Sequence, residues 1–173
     1  MDATEAVAEM KSGARPDLES VFVAHYGRIA RTIASVIHDQ GRAEELAVEV
    51  FLKWSQTGRE SALEGWLYRT AANLALDELR KQARRSRLDG LVAWVRKPPT
   101  PEELHSAKQE QERVRTILGG MGARQAALLI LRTQGLAYEE LASALGLNPA
   151  SVGTLLSRAQ QIFRKEYVKR YGA

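Results

Sequence analysis

Cysteine is missing from all 173 residues, which excludes disulfides, thiol nucleophiles, thiolate-bound zinc and any thiol redox switch. Histidine occurs only as His25, His38 and His105, none at the i,i+4 spacing of a helical metal pair, and there is no glycine-rich phosphate loop. The run from Gly119 to Gly122 reads as a turn between helices. The chain is therefore expected to be no enzyme, with no metal, no cofactor and no small-molecule substrate. No apolar run approaches the ~20 residues of a membrane span, and Met1 to Pro16 is polar, unlike a signal peptide. These shortages predict a cytoplasmic protein with no membrane insertion.

What is present suits a folded, mildly basic protein. Hydrophobic residues make up 45%, and the formal charge is +4 with a pI near 9.5. The charge is uneven: 13 Lys or Arg stand against 14 Asp or Glu through Gly90, and 12 against 7 beyond it. Within the first half Arg80, Lys81, Arg84, Arg85 and Arg87 cluster, either as an anion-binding surface or as a solvated helix end.

The apolar spacing predicts helices throughout. Pro16 and Asp17 signal the start of a first helix carrying Leu18, Val21, Phe22, Ile29, Ile33 and Ile37, broken at Asp39 to Gly41. Ala43, Leu46, Ala47, Val50, Phe51 and Trp54 stripe a second. Leu63, Trp66, Leu67, Ala71 and Leu74 stripe a third, capped by Ser61 and ending near Leu88. Three of the five prolines then fall between Pro98 and Pro101, a semi-rigid spacer. The apolar Leu91 to Val95 just before it is either a self-docking segment or a sticky one for a partner. A second unit is expected from Gln111, with helices ending at Gly119 and running over Ala123 to Thr133, and a basic tail from Lys165 that frays.

The most informative stretch is Tyr138 to Ser157. Leu141, Leu145, Leu147, Val152 and Leu156 are spaced for a short helix, a tight turn and a second helix. Gly146 supplies the left-handed exit, Asn148 the next N-cap and Pro149 the first helical position. This is a helix-turn-helix by mechanism, or else a helical hairpin packed for stability. On the second helix Val152, Leu156, Ala159 and Phe163 share one face. Ala150, Thr154, Ser157 and Gln161 lie opposite, flanked by Gly153, Arg158 and Arg164, a surface suited to a major groove.

Taken together, AEELAVEVFLKW at Ala43 to Trp54, GWLYRTAANLALDELRKQARR at Gly65 to Arg85 and MGARQAALLILRTQGLAYEELASALGLNPASVGTLLSRAQ at Met121 to Gln160 resemble the extracytoplasmic-function group of bacterial sigma-70 factors. The resemblance implies an all-α chain of two small helical domains joined by a linker. Its divisions are a flexible N-terminus (1–16), a region 2-like domain (17–88), a proline-containing linker (89–110) and a region 4-like helix-turn-helix domain (111–173). It implies an alternative sigma factor whose partners are the β′ and β subunits of core RNA polymerase, promoter DNA and an anti-sigma factor. Glu44, Glu45, Glu49 and Lys53 would bind polymerase. Arg59, Ser61, Arg69, Asn73, Asp77, Arg80, Lys81 and Arg84 would meet the minus-10 element, with Tyr68 as a partial stacking surface and Trp66 as a core residue first and a base platform second. Arg124, Ser151, Gly153, Thr154, Ser157, Arg158 and Gln161 would meet the minus-35 element.

Some residues depart from the family pattern. Gly153, Leu155 and Gln160 stand where members often carry Lys or Arg, which predicts fewer phosphate contacts and a flatter salt dependence. The loop from Ser55 to Leu63 is about three residues short and lacks the common aromatic. Ala137 replaces a capping Ser or Thr, a loss of about 1 kcal/mol. Two alternatives share these features: a sigma-like decoy that binds an anti-sigma factor, and a stand-alone helix-turn-helix regulator, which would have no use for the Ala43 to Trp54 docking face.

Overall fold

A computed structural model describes residues 17–57, 62–92 and 102–172, and within them all side chains except those of 86–92 and 102–106. Among these residues there are seven helices and no strand: α1 (Leu18–Ile37), α2 (Gln40–Thr57), α3 (Leu63–Val92), α4 (Glu102–Gly120), α5 (Ala123–Thr133), α6 (Tyr138–Leu145) and α7 (Pro149–Tyr171). Helices α1 to α3 form the first domain and α4 to α7 the second, an all-α pair as expected. The α3 helix continues past Leu88 to Val92, and α4 begins at Glu102, ahead of Gln111. The proline cluster, the aromatic end of the Leu91 to Val95 segment, Arg59 and Ser61 lie outside the described residues.

Local chemistry sets the helix ends. Asp17 caps α1 by accepting from the Ser20 N–H at 2.7 Å. The exit is at His38, in the left-handed region with φ 54°. Asp39 then accepts from the Arg42 N–H at 2.9 Å, so α2 restarts at Gln40 and the expected break shrinks to two residues. Leu18, read as the start of the buried stripe, is exposed because it sits in the first turn, before α1 reaches its neighbours.

In the first domain Ile29, Ile33 and Ile37 pack with Val50, Phe51 and Trp54 and with Leu67, Ala71 and Leu76, all essentially without solvent contact. Burying each large aliphatic side chain contributes roughly 1.5–3 kcal/mol. Phe22 meets Phe51 edge to face at 5.0 Å. In the second domain Leu128, Leu131, Leu141, Val152 and Leu156 do the same work. The C-terminal tail does not fray: Tyr167 and Tyr171 pack on the core, the Tyr167 hydroxyl donates to the Glu110 carboxylate at 2.7 Å, and Arg113 stacks over Tyr171.

The two cores merge, because α3 packs on α4, α5 and α6 as well as on α1 and α2. The Arg80 guanidinium donates to the carbonyls of Gly119 (3.2 Å) and Met121 (3.1 Å), and Arg115 donates to the Gln82 side-chain oxygen. At the same junction His38 loses water to burial and faces the Arg115 guanidinium. Both push its pKa below the ordinary 6.5, while Glu112 pulls it weakly upward. A base whose folded pKa is depressed holds more protons in the unfolded chain, so stability rises with pH across that window. Acidification below pH 6.5 is thus expected to lower the urea midpoint, and His38→Gln to flatten that part of the profile; an unchanged slope in the variant would remove His38 as the cause.

Candidate nucleic-acid interface

The helix-turn-helix is built as its sequence requires. Gly146 leaves α6 at φ 61°, ψ 48°, a conformation penalised for any side chain with a Cβ, and the Leu147 N–H reaches back to the Ala142 carbonyl at 2.9 Å. The Asn148 side chain accepts from the Ala150 N–H at 3.0 Å, and Pro149 occupies the first turn of α7. Ala137 has no side-chain acceptor, yet the Glu140 carboxylate accepts from the Ala137 N–H at 2.6 Å. Half of a capping box therefore survives and offsets part of the missing Ser or Thr.

On α7, Val152, Leu156 and Ala159 are buried and Phe163 is half-buried, while Ala150, Thr154, Ser157, Arg158 and Gln161 are exposed. Ser151 is half-buried, its hydroxyl donating to the Asn148 carbonyl at 2.8 Å. Arg124 is exposed and donates to the Leu145 carbonyl at 3.4 Å, beside the turn. The family departures acquire physical reasons. Leu155 packs against the core instead of reaching outward, and Gln160 lines an apolar cleft with Phe163 and Val114. At Gly153 a Cβ would stand 3.4 Å from the Tyr138 ring, whose other neighbour is the Arg132 guanidinium, 5.6 Å from its centroid. Tyr138 stays 43% exposed beside the reading face. Sequence reasoning had missed it, although an aromatic at the first position of a short helix facing a glycine is a readable signal.

Along α3, Arg69, Asn73, Asp77, Lys81 and Arg84 line one exposed stripe, with Arg80 at its inner edge bound to the second domain and 3.5 Å from Asp77. Tyr68, read as a partial stacking surface, is instead buried under Arg28, whose guanidinium lies 5.3 Å from the ring centroid, and burial raises its pKa above 10.0. Trp66 is half-buried against the core.

The third surface is the outer side of α2. Glu44, Glu45 and Lys53 are exposed and Glu49 is half-exposed, paired to Lys53 at 3.0 Å. Val48 and Leu52, 40% and 52% exposed, lie between these charges at i,i+4 spacing. They fall off the buried stripe and had not been picked out, although apolar residues off the core period mark a contact face.

The exposed face of α7, the basic stripe of α3 and the mixed apolar–acidic face of α2 sit on an all-α chain of two helical domains, the second with a helix-turn-helix. Residues 21–85 match the family model of Sigma-70 region 2, and residues 111–161 that of Sigma-70, region 4. The chain is 27% identical over 168 residues to the ECF RNA polymerase sigma factor SigE of Mycolicibacterium smegmatis, covering 92% of this chain and 65% of that one. It is 29% identical over 165 residues to the probable RNA polymerase sigma factor RfaY of Xanthomonas campestris pv. campestris, covering 84% and 41%. The chain thus spans about two thirds or less of these two relatives. A solved chain, the sigma factor RpoE of Bartonella quintana in complex with the anti-sigma factor NepR, is similar at 20% identity and a TM-score of 0.49, over 88% of this chain and 97% of that one. The chain belongs to the extracytoplasmic-function group of the sigma-70 family.

Proposed function

We propose that the chain is an alternative sigma factor that joins core RNA polymerase, recognises minus-35 and minus-10 promoter elements and initiates transcription. The observation that carries this reading is the pairing of two exposed nucleic-acid surfaces on separate domains: the α7 face of Thr154, Ser157, Arg158 and Gln161, and the α3 stripe from Arg69 to Arg84. A groove-reading helix supplies sequence contacts and a basic stripe supplies single-strand contacts. The outer face of α2, with Val48 and Leu52 set among Glu44, Glu45, Glu49 and Lys53, is the proposed polymerase dock. Transcription initiation requires no catalytic group from this chain, and its proposed place of work is the cytoplasm; no described helix is long and apolar enough to cross a membrane. We keep the proposed divisions at 17–88 and 111–173, with an anti-sigma protein as the expected antagonist.

The test is to add the chain to core polymerase and map transcript starts on genomic DNA. A shared motif upstream of the starts is expected; starts without one would overturn the initiation reading. In the same assay Arg158→Ala is expected to weaken minus-35 duplex binding by roughly 1–3 kcal/mol, the weight of a bidentate base contact. Unchanged binding would reassign Arg158 to the surface. The decoy reading draws on Leu155, which packs on the core, and on Gln160, which carries no charge, and predicts anti-sigma binding with no promoter-specific transcript.

A further inference from the structure

Between the domains lies a cleft of about 660 Å³ whose walls come from α3, α4 and the end of α7. Its charge is strongly one-sided. Arg80 and Arg84 enter from the first domain, Arg115 and Arg170 from the second, and Glu112 is the only carboxylate in the lining among the described residues. That carboxylate is already taken, accepting from Arg115 at 2.9 Å. Arg80 is partly committed, through its two carbonyl bonds and Asp77, whereas Arg84 and Arg170 are exposed at the mouth.

A second observation singles out the same place. The Arg115 Nε is buried and has no hydrogen-bond partner, although its other two nitrogens bond to Glu112 and Gln82. A buried guanidinium donor without an acceptor is costly, and a turn of this side chain toward an acceptor oxygen in the cleft would relieve it.

We propose that this cleft binds a small anion carrying two linked phosphates, held by guanidinia of both domains. Planar guanidinium forks match phosphate oxygens in pairs, and the exposed Arg84 and Arg170, one from each domain, offer two such forks beside the partly committed Arg80 and Arg115, enough for two linked phosphates. The volume falls within the ~300–1,000 Å³ of small-molecule sites, ample for a diphosphate with or without a nucleoside attached. Among the described residues the lining holds arginines and no aromatic ring on which a base would stack, so the diphosphate is the part these groups recognise. Occupancy ties α3 to α4 and α7 and draws in Arg80 and Arg84. If the promoter reading above holds, the anion therefore opposes use of these residues on the minus-10 strand.

Thermal shift and calorimetry on the full chain test the site without polymerase or DNA, so failure of the sigma reading does not decide it. The probes are inorganic pyrophosphate and ADP, against inorganic phosphate at matched ionic strength. Saturable binding by pyrophosphate, by ADP or by both, with phosphate at least about tenfold weaker, is expected. Tighter binding by ADP than by pyrophosphate would identify a nucleoside diphosphate as the source. Arg170→Ala, at the exposed end of α7, and Arg115→Met should each weaken binding about ten- to hundredfold, as loss of a charge-assisted contact does. Equal binding of phosphate and pyrophosphate, no saturation, or full binding by Arg170→Ala would overturn the proposal.

Discussion

Gly65→Val is expected to part the two domains while leaving the helices of each intact. Gly65 lies in the first turn of α3, where α6 comes so close that a Cβ would stand 3.0 Å from the Ala144 Cα and 3.1 Å from its N. Both are backbone atoms, so no side-chain rotation relieves the clash, and α6 has to move as a body. Valine is the better helix former of the two, which leaves the lost packing as the only adverse effect. Overpacking of this kind costs typically 1–3 kcal/mol. Beside the packing of α3 on α4 and α5, which resists separation, the junction holds polar bonds such as Arg80 to Gly119 and Gln134 Nε2 to the Ser35 hydroxyl at 3.0 Å, which water replaces readily. A compact chain of this length has a radius of gyration of about 16 Å. Solution scattering of the variant should exceed that of the parent, with unchanged far-ultraviolet circular dichroism. An unaltered scattering profile would show that α6 accommodates the methyls in place.

The second large effect is expected at Arg42→Ala, with a loss of about 3 kcal/mol of stability in urea. Glu78 is 6% exposed on the inner side of α3, and both Nε and Nη2 of Arg42 donate to one of its oxygens, at 3.2 and 3.0 Å. The third nitrogen reaches Glu45 at 2.6 Å, and these two carboxylates, Glu45 first, hold the guanidinium pKa above its usual value. Removing the arginine strands a buried carboxylate, the costly half of a broken pair. Adding Glu78→Gln should recover a good part of the loss, because a neutral amide is cheaper to bury. A loss below about 1 kcal/mol in the single variant would mean that Glu78 finds water or takes up a proton at little cost.

Glu78 also shows what the sequence does and does not disclose. It follows the exposed Asp77, and as a charged residue beside Leu79 on a helix it reads as the edge of a solvated stripe. Its burial depends on α2 bringing Arg42 across 36 positions of sequence. By contrast, Gly146, Asn148 and Pro149 announce their turn locally, and the α7 periodicity separates Val152 and Leu156 from Thr154 and Ser157 without outside help. The exposed position of most predicted contact residues was legible for the same reason. Tyr68 was misjudged because Arg28 of α1 covers it, and the partial claim on Arg80 by the carbonyls of α4 and its turn was equally hidden. Tertiary proximity is not written in a helical period. The tail failed similarly, since Tyr167 and Tyr171 gain their order from Glu110 and Arg113 on α4.

The length of α3 has a mechanical consequence. Its 30 residues make a rod of about 45 Å at ~1.5 Å per residue. The first turn is pinned at Gly65 by α6, so a tilt of about 10° there swings the far end by roughly 8 Å on that rod. Small changes in how α6 seats therefore reappear, magnified, at Val92, where the chain sets off toward the second domain. The contact made by one glycine acts as the fulcrum of a lever.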